Sequence, residues 1–226
     1  MTAIIFDLDG TLIDSAPDIH AAVARTLVDM GCEPLGLAQI RSFIGNGVPV
    51  LIDRVMAARN EAANPPRRAE LISRFMRHYE AASSVLTIVY PGVEAALTEL
   101  QAAGHAMGVC TNKPAAAARD ILHALGLDRF FQAIIGGDSL PERKPHPAPL
   151  LAVVDLLGSK TALYVGDSEV DAQTAAAAGI PLLLFTEGYR VAPVASLPHR
   201  AAFANFAELP AIVAGQVAAV TTPPSP

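Results

Sequence analysis

The sequence predicts an α/β fold, a doubly wound parallel sheet into which a small α-helical domain is inserted. Short apolar segments of strand length alternate with amphipathic helical patterns, and this alternation is typical of a parallel sheet covered by helices. One region, residues 14–89, interrupts it with helical patterns alone. Hydrophobic residues make up 52% of the 226 residues and charged residues 17%, which provides apolar material for one sizeable core and a smaller second one.

The predicted strands are continuously apolar, as expected for strands that are buried on both faces of a sheet. The first extends from Thr2 to Phe6 and stops at Asp7. The others are Ala106–Cys110, Ala133–Ile135, Ala162–Val165 and Pro181–Phe185. Helical patterns between them have apolar residues three or four positions apart, and glycines end them at Gly104, Gly126 and Gly158.

The region from Asp14 to about Val89 contains three or four helical patterns and no convincing strand. Apolar residues recur at helical spacing in each pattern, which is typical of helices with one buried face. The clearest are Ile19, Val23, Leu27 and Met30, then Leu51, Ile52, Val55 and Met56, then Leu71, Ile72, Phe75, Met76 and Tyr79. We therefore predict an α/β core of residues 1–13 and 90–226 and an α-helical domain of residues 14–89.

Charge and cysteine content argue against several classes of partner. The chain has 16 basic and 22 acidic residues, a net charge of −6, and no basic block, so we expect no nucleic-acid or membrane-surface partner. No apolar segment approaches the roughly 20 residues of a membrane-spanning helix. Cys32 and Cys110 lie far apart, and the first residues fit a strand better than a signal peptide, which predicts a cytoplasmic protein. The oligomeric state cannot be deduced from these features.

Polar residues follow three predicted strands at their carboxyl ends, where ligands bind in open parallel α/β sheets. They are Asp7 and Asp9, then Thr111, Asn112 and Lys113, then Asp167, with Asp171 four residues further on and Lys144 in a loop before another helix. Taken singly, each of these residues is typical of a turn, a helix cap or a solvated loop. Their joint occurrence at matching strand ends is what predicts a site.

Asp7 and Asp9 lie two positions apart at a strand end, and Gly10 permits a sharp turn through which both can face one cavity. Their like charges require a cation. Asp167 can join them, and Asp171 can support the site from an adjacent turn if a helix begins near Ser168. Hard oxygen ligands of this kind suit Mg²⁺, which keeps waters and shares a substrate phosphate. We therefore predict a Mg²⁺ site that involves Asp7, Asp9, Asp167 and Asp171.

Four motifs that contain these residues resemble, in order and separation, those of the haloacid dehalogenase superfamily of aspartate-nucleophile phosphatases. The motifs are D-L-D-G-T-L at Asp7–Leu12, T-N at Thr111–Asn112, R-K-P at Arg143–Pro145 and G-D-S-E-V-D at Gly166–Asp171. The helical insert between the first two motifs resembles the small cap of one branch of that superfamily. The resemblance covers nearly the whole chain and implies a Rossmann-like core.

The same resemblance implies catalytic roles. Asp7 would be the nucleophile that becomes an aspartyl phosphate, and Asp9 would be the general acid and base. Thr111 and Asn112 would bind the transferring phosphoryl group, and Lys144 would balance the charge of nucleophile and phosphate.

The remaining acids complete this implied assignment. Asp167 would bind the metal directly and Asp171 largely through water.

Within the superfamily, dehalogenases lack an acid at the position of Asp9, so this residue favours a phosphatase or mutase. A signalling receiver module is a distant alternative, but its chain is about half as long, its phosphoacceptor follows a later strand, and it has no cap. A non-catalytic homologue would be expected to lack one of the charged residues, and none is missing.

Further segments resemble the phosphoglycolate phosphatases, namely C-T-N-K-P at Cys110–Pro114, the segment Gly136–Leu151, and I-G-N-G at Ile44–Gly47. The resemblance implies hydrolysis of 2-phosphoglycolate, a small phosphorylated metabolite. Pyrophosphatases, nucleotidases and β-phosphoglucomutases of the same branch remain alternatives.

The segment Gly45, Asn46 and Gly47 is the candidate binding loop for the substrate carboxylate, because the core motifs account only for the phosphate. Its glycines permit a tight turn, and Pro49 fits the first turn of the next helix. Backbone amides at that helix N-terminus would then face an anion. Arg41 or Arg54 could add charge, although a solvated surface position is as well supported for both. A plain interhelical turn is the alternative for the loop.

Overall fold

The computed structural model describes residues 2–61 and 64–221, and its strands form two sheets. In chain order the strands are β1 (Thr2–Phe6), β2 (Ile13–Asp14), β3 (Ile88–Val89), β4 (Met107–Cys110), β5 (Ala133–Ile135), β6 (Thr161–Gly166), β7 (Leu182–Phe185) and β8 (Ala201–Phe203). The main sheet is parallel throughout, with the order β5-β4-β1-β6-β7-β8. The strands β2 and β3 form a separate antiparallel pair. The predicted doubly wound parallel sheet is confirmed.

The helices in these residues follow the predicted alternation. They are α1 (Ala16–Val28), α2 (Leu37–Arg41), α3 (Val48–Ala58), α4 (Pro65–Glu80), α5 (Val93–Ala102), α6 (Ala115–Ala124), α7 (Ala148–Leu156), α8 (Glu169–Ala178) and α9 (Leu209–Thr221). Among the described residues, no helix combines the length and the apolar character that crossing a bilayer requires.

Strand β1 lies in the middle of the main sheet, between β4 and β6, and its two faces contact different halves of the core. Ile4 and Phe6 belong to the cluster under α5, α6 and α9, whereas Ile5 belongs to the cluster under α7 and α8. All three side chains are fully buried, because alternate residues of a strand point to opposite faces. Burial of each contributes about 1.5 to 3 kcal/mol. The strand thus fixes the position of Asp7, the residue that follows it.

The helices α1 to α4, which we call the cap, enclose a hydrophobic cluster of their own. Its buried members include Val23, Leu27, Val55, Leu71 and Phe75, all from the predicted helical patterns. The pair β2 and β3 lies where the chain enters and leaves the cap. No strand was predicted between residues 14 and 89, because segments of two residues are too short to show a periodicity. The exact domain bounds at 13/14 and 89/90 stay a prediction.

Asp18, in the first turn of α1, joins the two connections between cap and core. Its carboxylate accepts hydrogen bonds from the backbone N–H of Leu86 at 2.9 Å and of Thr87 at 2.8 Å, and from Thr87 Oγ1 at 2.7 Å. Asp18 and Thr87 are both buried. The segment that returns from the cap is therefore attached to the start of α1.

Candidate active site

The carboxyl edge of the main sheet brings together the core residues that the motifs single out. Those that are buried there are Asp7, Thr111, Asn112, Lys144, Asp167 and Asp171, and Asp9 lies beside them. Parallel strands place their carboxyl ends on one side of a sheet, so residues that are far apart in the chain become neighbours.

Lys144 lies between two carboxylates. Its Nζ is 2.8 Å from Asp7 Oδ1 and 2.7 Å from Asp171 Oδ1, and it donates a hydrogen bond of 2.8 Å to Tyr164 Oη. Burial acts to lower the pKa of Lys144, but the negative charges of Asp171 and Asp7 outweigh it and raise that pKa above its ordinary value. The lysine therefore stays charged beside Asp7.

Asp171 is held in place by the start of α8. Its Oδ2 accepts hydrogen bonds from Ser168 Oγ at 2.7 Å and from the Ser168 N–H at 3.1 Å, and the second of these is one half of a capping box. Its Oδ1 accepts from Lys144 and Tyr164. Burial acts to raise the pKa of Asp171, but Lys144 and these hydrogen bonds hold it below the ordinary value. Both carboxylate oxygens thus already have protein donors.

Asp167 is held by a hydroxyl group and a backbone amide. Thr11 Oγ1 donates to its Oδ1 at 2.8 Å, and the Tyr189 N–H donates to its Oδ2 at 2.6 Å. Burial, together with the charges of Asp171 and Asp7, raises the pKa of Asp167 well above its ordinary value. No lysine or arginine of the described residues forms an ion pair with it.

The acids fit a divalent cation. Asp7, Asp167 and Asp171 each offer a carboxylate oxygen, and these oxygens lie within 4.8 Å of one another. Asp7 Oδ1 is buried and accepts no hydrogen bond, since its contact with Lys144 is an ion pair without hydrogen-bond geometry. Burial and the charge of Asp171 raise the pKa of Asp7 to about 7. Three acids against one lysine leave a negative excess that a divalent metal would neutralise.

Asp9 has different partners, and its side chain lies outside this group of three. Lys113 Nζ is 2.9 Å from Asp9 Oδ1 and 3.2 Å from Oδ2, and Ser15 Oγ donates to Oδ1 at 2.5 Å. Lys113 also donates to Tyr79 Oη of α4 at 2.5 Å. Each of the two acids of the first motif therefore contacts its own buried lysine.

Lys113 has no role in the assignment that the resemblance implies, although it follows a predicted strand end. The sequence offered one indication that Lys113 belongs to the site, namely its position directly after Thr111 and Asn112. Its partners Asp9 and Tyr79 lie 104 and 34 positions away in the chain, so the fold alone reveals the contact.

Asn112 links the cap to the core. Its Nδ2 donates to the carbonyl oxygens of Gly45 and Lys144, both at 3.0 Å, and its Oδ1 is buried without a hydrogen bond. The resemblance implied that this side chain binds phosphoryl oxygens. In the structure, its amide donors hold the Gly45 loop and the Lys144 loop together, and Asn112 also lines the cavity. Its binding of phosphoryl oxygens stays a prediction. The hydroxyl of Thr111 accepts from the Lys113 N–H at 3.2 Å and lies at the cavity.

A cavity separates the cap from the edge of the sheet. It is lined by Asp7, Asp9, Ile19, Ile44, Gly45, Gly47, Val48, Leu51, Phe75, Tyr79, Thr111, Asn112, Lys113 and Pro114. Gly45 and Gly47 have φ values of +113° and +83°, which glycine adopts far more readily than other residues. Gly47 directly precedes α3, so the predicted loop and helix N-terminus do face this cavity.

The other residues proposed for the carboxylate point elsewhere. Asn46 Oδ1 accepts from Arg54 Nη2 at 2.8 Å, and Arg54 Nη1 donates to the carbonyl of Phe43 at 2.7 Å. Arg41 forms an ion pair of 2.7 Å with Asp14. Neither arginine lines the cavity, because each guanidinium is engaged within the protein.

Comparison with known proteins gives consistent matches. A model of the family described as haloacid dehalogenase-like hydrolase matches residues 4–185. A phosphoglycolate phosphatase of Cereibacter sphaeroides is 60% identical over 210 residues, which are 93% of this chain and 96% of the relative. Another from Rhodospirillum rubrum is 43% identical over 213 residues, 92% and 88% of the two chains. A crystal structure of a predicted phosphoglycolate phosphatase from Haemophilus somnus superposes with a TM-score of 0.88 at 33% identity, covering 94% of this chain and 98% of the other.

Proposed function

The chain belongs to the haloacid dehalogenase-like hydrolase family, and from that premise we propose that it hydrolyses 2-phosphoglycolate to glycolate and phosphate with Mg²⁺ as cofactor. The observation that carries the proposal is the pairing of two acids on one cavity with two buried lysines, Asp7 with Lys144 and Asp9 with Lys113. The similarity to phosphoglycolate phosphatases at 60% identity supports the choice of substrate.

In this proposal Asp7 attacks phosphorus, the bond to the glycolate oxygen breaks, and an aspartyl phosphate forms. Lys144 favours the anionic form of Asp7 and would balance the negative charge of the phosphoryl group, because its Nζ lies 2.8 Å from the nucleophile's Oδ1. Thr111 offers its hydroxyl to the phosphoryl oxygens at the cavity wall.

Asp9 serves as acid and then as base. It gives a proton to the departing glycolate oxygen and later takes one from the water that cleaves the aspartyl phosphate, a role worth about 10² to 10⁴ in rate. Ser15 and Lys113 fix its orientation from two sides.

Asp7 and Asp167 would hold the Mg²⁺ directly. Asp171 would contribute its negative charge without direct contact, since its own oxygens accept hydrogen bonds from Lys144, Tyr164 and Ser168. When bound, the cation would neutralise the carboxylates and the phosphate and so lower the repulsion between nucleophile and substrate. Asp9 was predicted within the metal site, and the position of its side chain favours the acid and base role instead.

A substrate panel tests the proposal. Phosphate release is measured with and without Mg²⁺ on phosphoglycolate, ethyl phosphate, pyrophosphate and β-glucose 1-phosphate. We expect the highest kcat/KM on phosphoglycolate and almost none without the metal. A higher value on pyrophosphate, or conversion of glucose 1-phosphate into glucose 6-phosphate, would assign the site to one of the alternative activities.

The composition supports the cytoplasmic setting proposed for the enzyme. Cys32 and Cys110 are free thiols, which supports a reducing compartment such as the cytoplasm. The net charge of −6 without a basic block supports a small-molecule substrate over a nucleic acid.

A further inference from the structure

The cavity between cap and core contains one positively charged side chain among its described lining residues, that of Lys113. Lys144 lies beneath Asp7, where Asp7, Asp171 and Tyr164 surround its ammonium group. Arg41 and Arg54 are engaged by other parts of the protein. Lys113 is also paired, with Asp9 and Tyr79, but it alone of these four basic residues lines the cavity. An anion that enters the cavity beyond the phosphate position therefore meets Lys113.

The position of Lys113 relative to Asp9 matches the shape of a short substrate. To protonate the leaving oxygen, Asp9 must be within hydrogen-bond distance of it. The carboxylate carbon of phosphoglycolate is two bonds from that oxygen. Lys113 Nζ lies 2.9 Å and 3.2 Å from the two oxygens of Asp9, so a group placed two bonds beyond the leaving oxygen is beside the lysine.

The remaining walls restrict what such a group can carry. Ile19, Leu51 and Phe75 are apolar residues of the same cavity lining as Lys113, and the Phe75 ring stacks on Tyr79 with a centroid distance of 5.5 Å. Sugar hydroxyls placed against these side chains would lose their hydrogen bonds to water without replacement. A short carboxylate without further polar groups fits both the charge and the walls.

We infer that Lys113, held by Tyr79 of the cap, binds the carboxylate of the substrate and determines a preference for short phosphorylated carboxylic acids. This inference rests on the proposed function, and it assigns recognition of the negatively charged substrate carboxylate to Lys113, a residue of the core. The Gly45 to Gly47 loop closes the cavity from the cap side, and its backbone amides would add hydrogen bonds to the same carboxylate. Tyr79 contributes by fixing the ammonium group at 2.5 Å from its hydroxyl.

Kinetics of Lys113→Met on two substrates test the inference. Ethyl phosphate has the shape of phosphoglycolate with a methyl group in place of the carboxylate. Removal of Lys113 also disturbs Asp9, so rates on both substrates should fall, and the readout is the ratio of their kcat/KM values. We expect this preference for phosphoglycolate to fall by a further 10- to 100-fold, as expected for the loss of a charged hydrogen bond. Lys113→Arg should retain most of the preference.

Binding measurements separate recognition from chemistry. By calorimetry, 3-phosphonopropionate should bind Lys113→Met about 10- to 100-fold more weakly than the wild type, whereas propylphosphonate should show a much smaller change. Tyr79→Phe keeps the ring and loses the hydroxyl, so it should weaken 3-phosphonopropionate binding alone, and it tests the inference even if Lys113→Met does not fold. Lys160→Met, an exposed lysine before β6, is the matched control and should bind like the wild type.

The outcomes distinguish the two proposals. A wild-type enzyme with no preference for phosphoglycolate over ethyl phosphate would overturn the proposed function and this inference with it. A wild-type preference that survives in Lys113→Met, or equal losses of both phosphonates in a folded variant, would overturn the inference alone.

Discussion

The ammonium group of Lys144 lies 2.8 Å from Asp7 Oδ1, and only 1% of the lysine side chain and 7% of the aspartate side chain are exposed. A buried lysine can remain charged in such a place because Asp7 and Asp171 compensate for its lost hydration. The contact joins the proposed nucleophile of the first motif to the basic residue of the third motif. It makes the position of Asp7 dependent on a loop that lies 137 positions later in the chain.

Lys144→Met should therefore destabilise the fold as well as abolish activity. Removal of one partner leaves Asp7 and Asp171 buried without their cation, which costs about 3 to 5 kcal/mol in buried pairs. Urea denaturation should show a lower midpoint at unchanged slope, whereas Lys160→Met on the surface should behave like the wild type. A Lys144→Met protein of wild-type stability would show that the acids do not depend on this lysine.

Asp7→Asn and Asp9→Asn should both fold and lose activity by different routes. Asp7→Asn cannot form an aspartyl phosphate, so no labelled phosphoenzyme should be trapped after acid quenching. Asp9→Asn should slow both departure of the leaving group and hydrolysis of the intermediate, by about 10² or more. Asp155→Asn, an exposed residue of α7, is the control. Near-normal turnover in either active-site variant would contradict the assigned roles.

The parts of the fold that have a strong periodicity could be predicted from the sequence. Strand β1 was predicted with its exact ends, and the helix faces of the cap follow the predicted spacing. Strand β8, with the sequence Ala201, Ala202 and Phe203, was missed because two of its three residues are alanines, which have a low preference for strands. The strands β2 and β3 were missed because segments of two residues are too short to show a periodicity.

The contacts of the site residues were harder to predict than the fold, because the ion pairs of charged side chains depend on which parts of the chain the fold brings together. Asp7 and Asp167 could be predicted, since both follow apolar strands that end at one edge. Lys113 also follows a predicted strand, but its pairing with Asp9 could not be predicted, because a lysine in a loop is ordinarily solvated. Arg54 lies near the cap loop in the chain, yet its guanidinium binds the Phe43 carbonyl and Asn46.

Activity should vanish in a chelator and return with Mg²⁺, whereas Ca²⁺ should replace it poorly. Ca²⁺ accepts more ligands at longer distances, so a carboxylate shared between metal and phosphorus, as proposed for Asp7, would be held less accurately for attack. Initial rates across a titration of each cation measure this effect. Full activity in chelator would contradict the assignment of Asp167 as a metal ligand.

The metal-free protein should lose stability as the pH rises from about 4 to about 7. In this window the folded state keeps protons that the unfolded state has released, because burial and the charge of Asp171 raise the pKa of Asp7 from 3.8 to about 7, and the pKa of Asp167 is raised as well. The lowered pKa of Asp171 acts in the opposite direction, but below about pH 4.

Melting temperatures in chelator between pH 5 and 8 measure this dependence. Mg²⁺ should raise the melting temperature more at pH 8 than at pH 5, since metal and protons compete for the same carboxylates. Asp167→Asn should flatten the dependence, and this difference separates the site from surface pairs such as His123 with Asp128. Stability that increases over this range in the metal-free wild type would show that the acids are not mutually repelling.

The cap loop provides the last prediction. Gly45 and Gly47 both have positive φ, and a Cβ on Gly47 would lie 3.2 Å from the carbonyl oxygen of Asn112. Replacement of both by Ala should strain the loop and displace the first turn of α3 from the cavity, where its backbone amides favour an anion. We expect kcat/KM on phosphoglycolate to fall by about 10- to 100-fold, equivalent to about 1.5 to 3 kcal/mol, and the rate on an aryl phosphate to fall much less.

A double replacement of Gly31 and Gly104 controls for backbone strain, because both have positive φ and neither would bring a Cβ within 4 Å of a residue other than its chain neighbours. Equal losses on the two substrates in a folded variant would show that the loop only closes the cavity and leaves recognition of the carboxylate to Lys113.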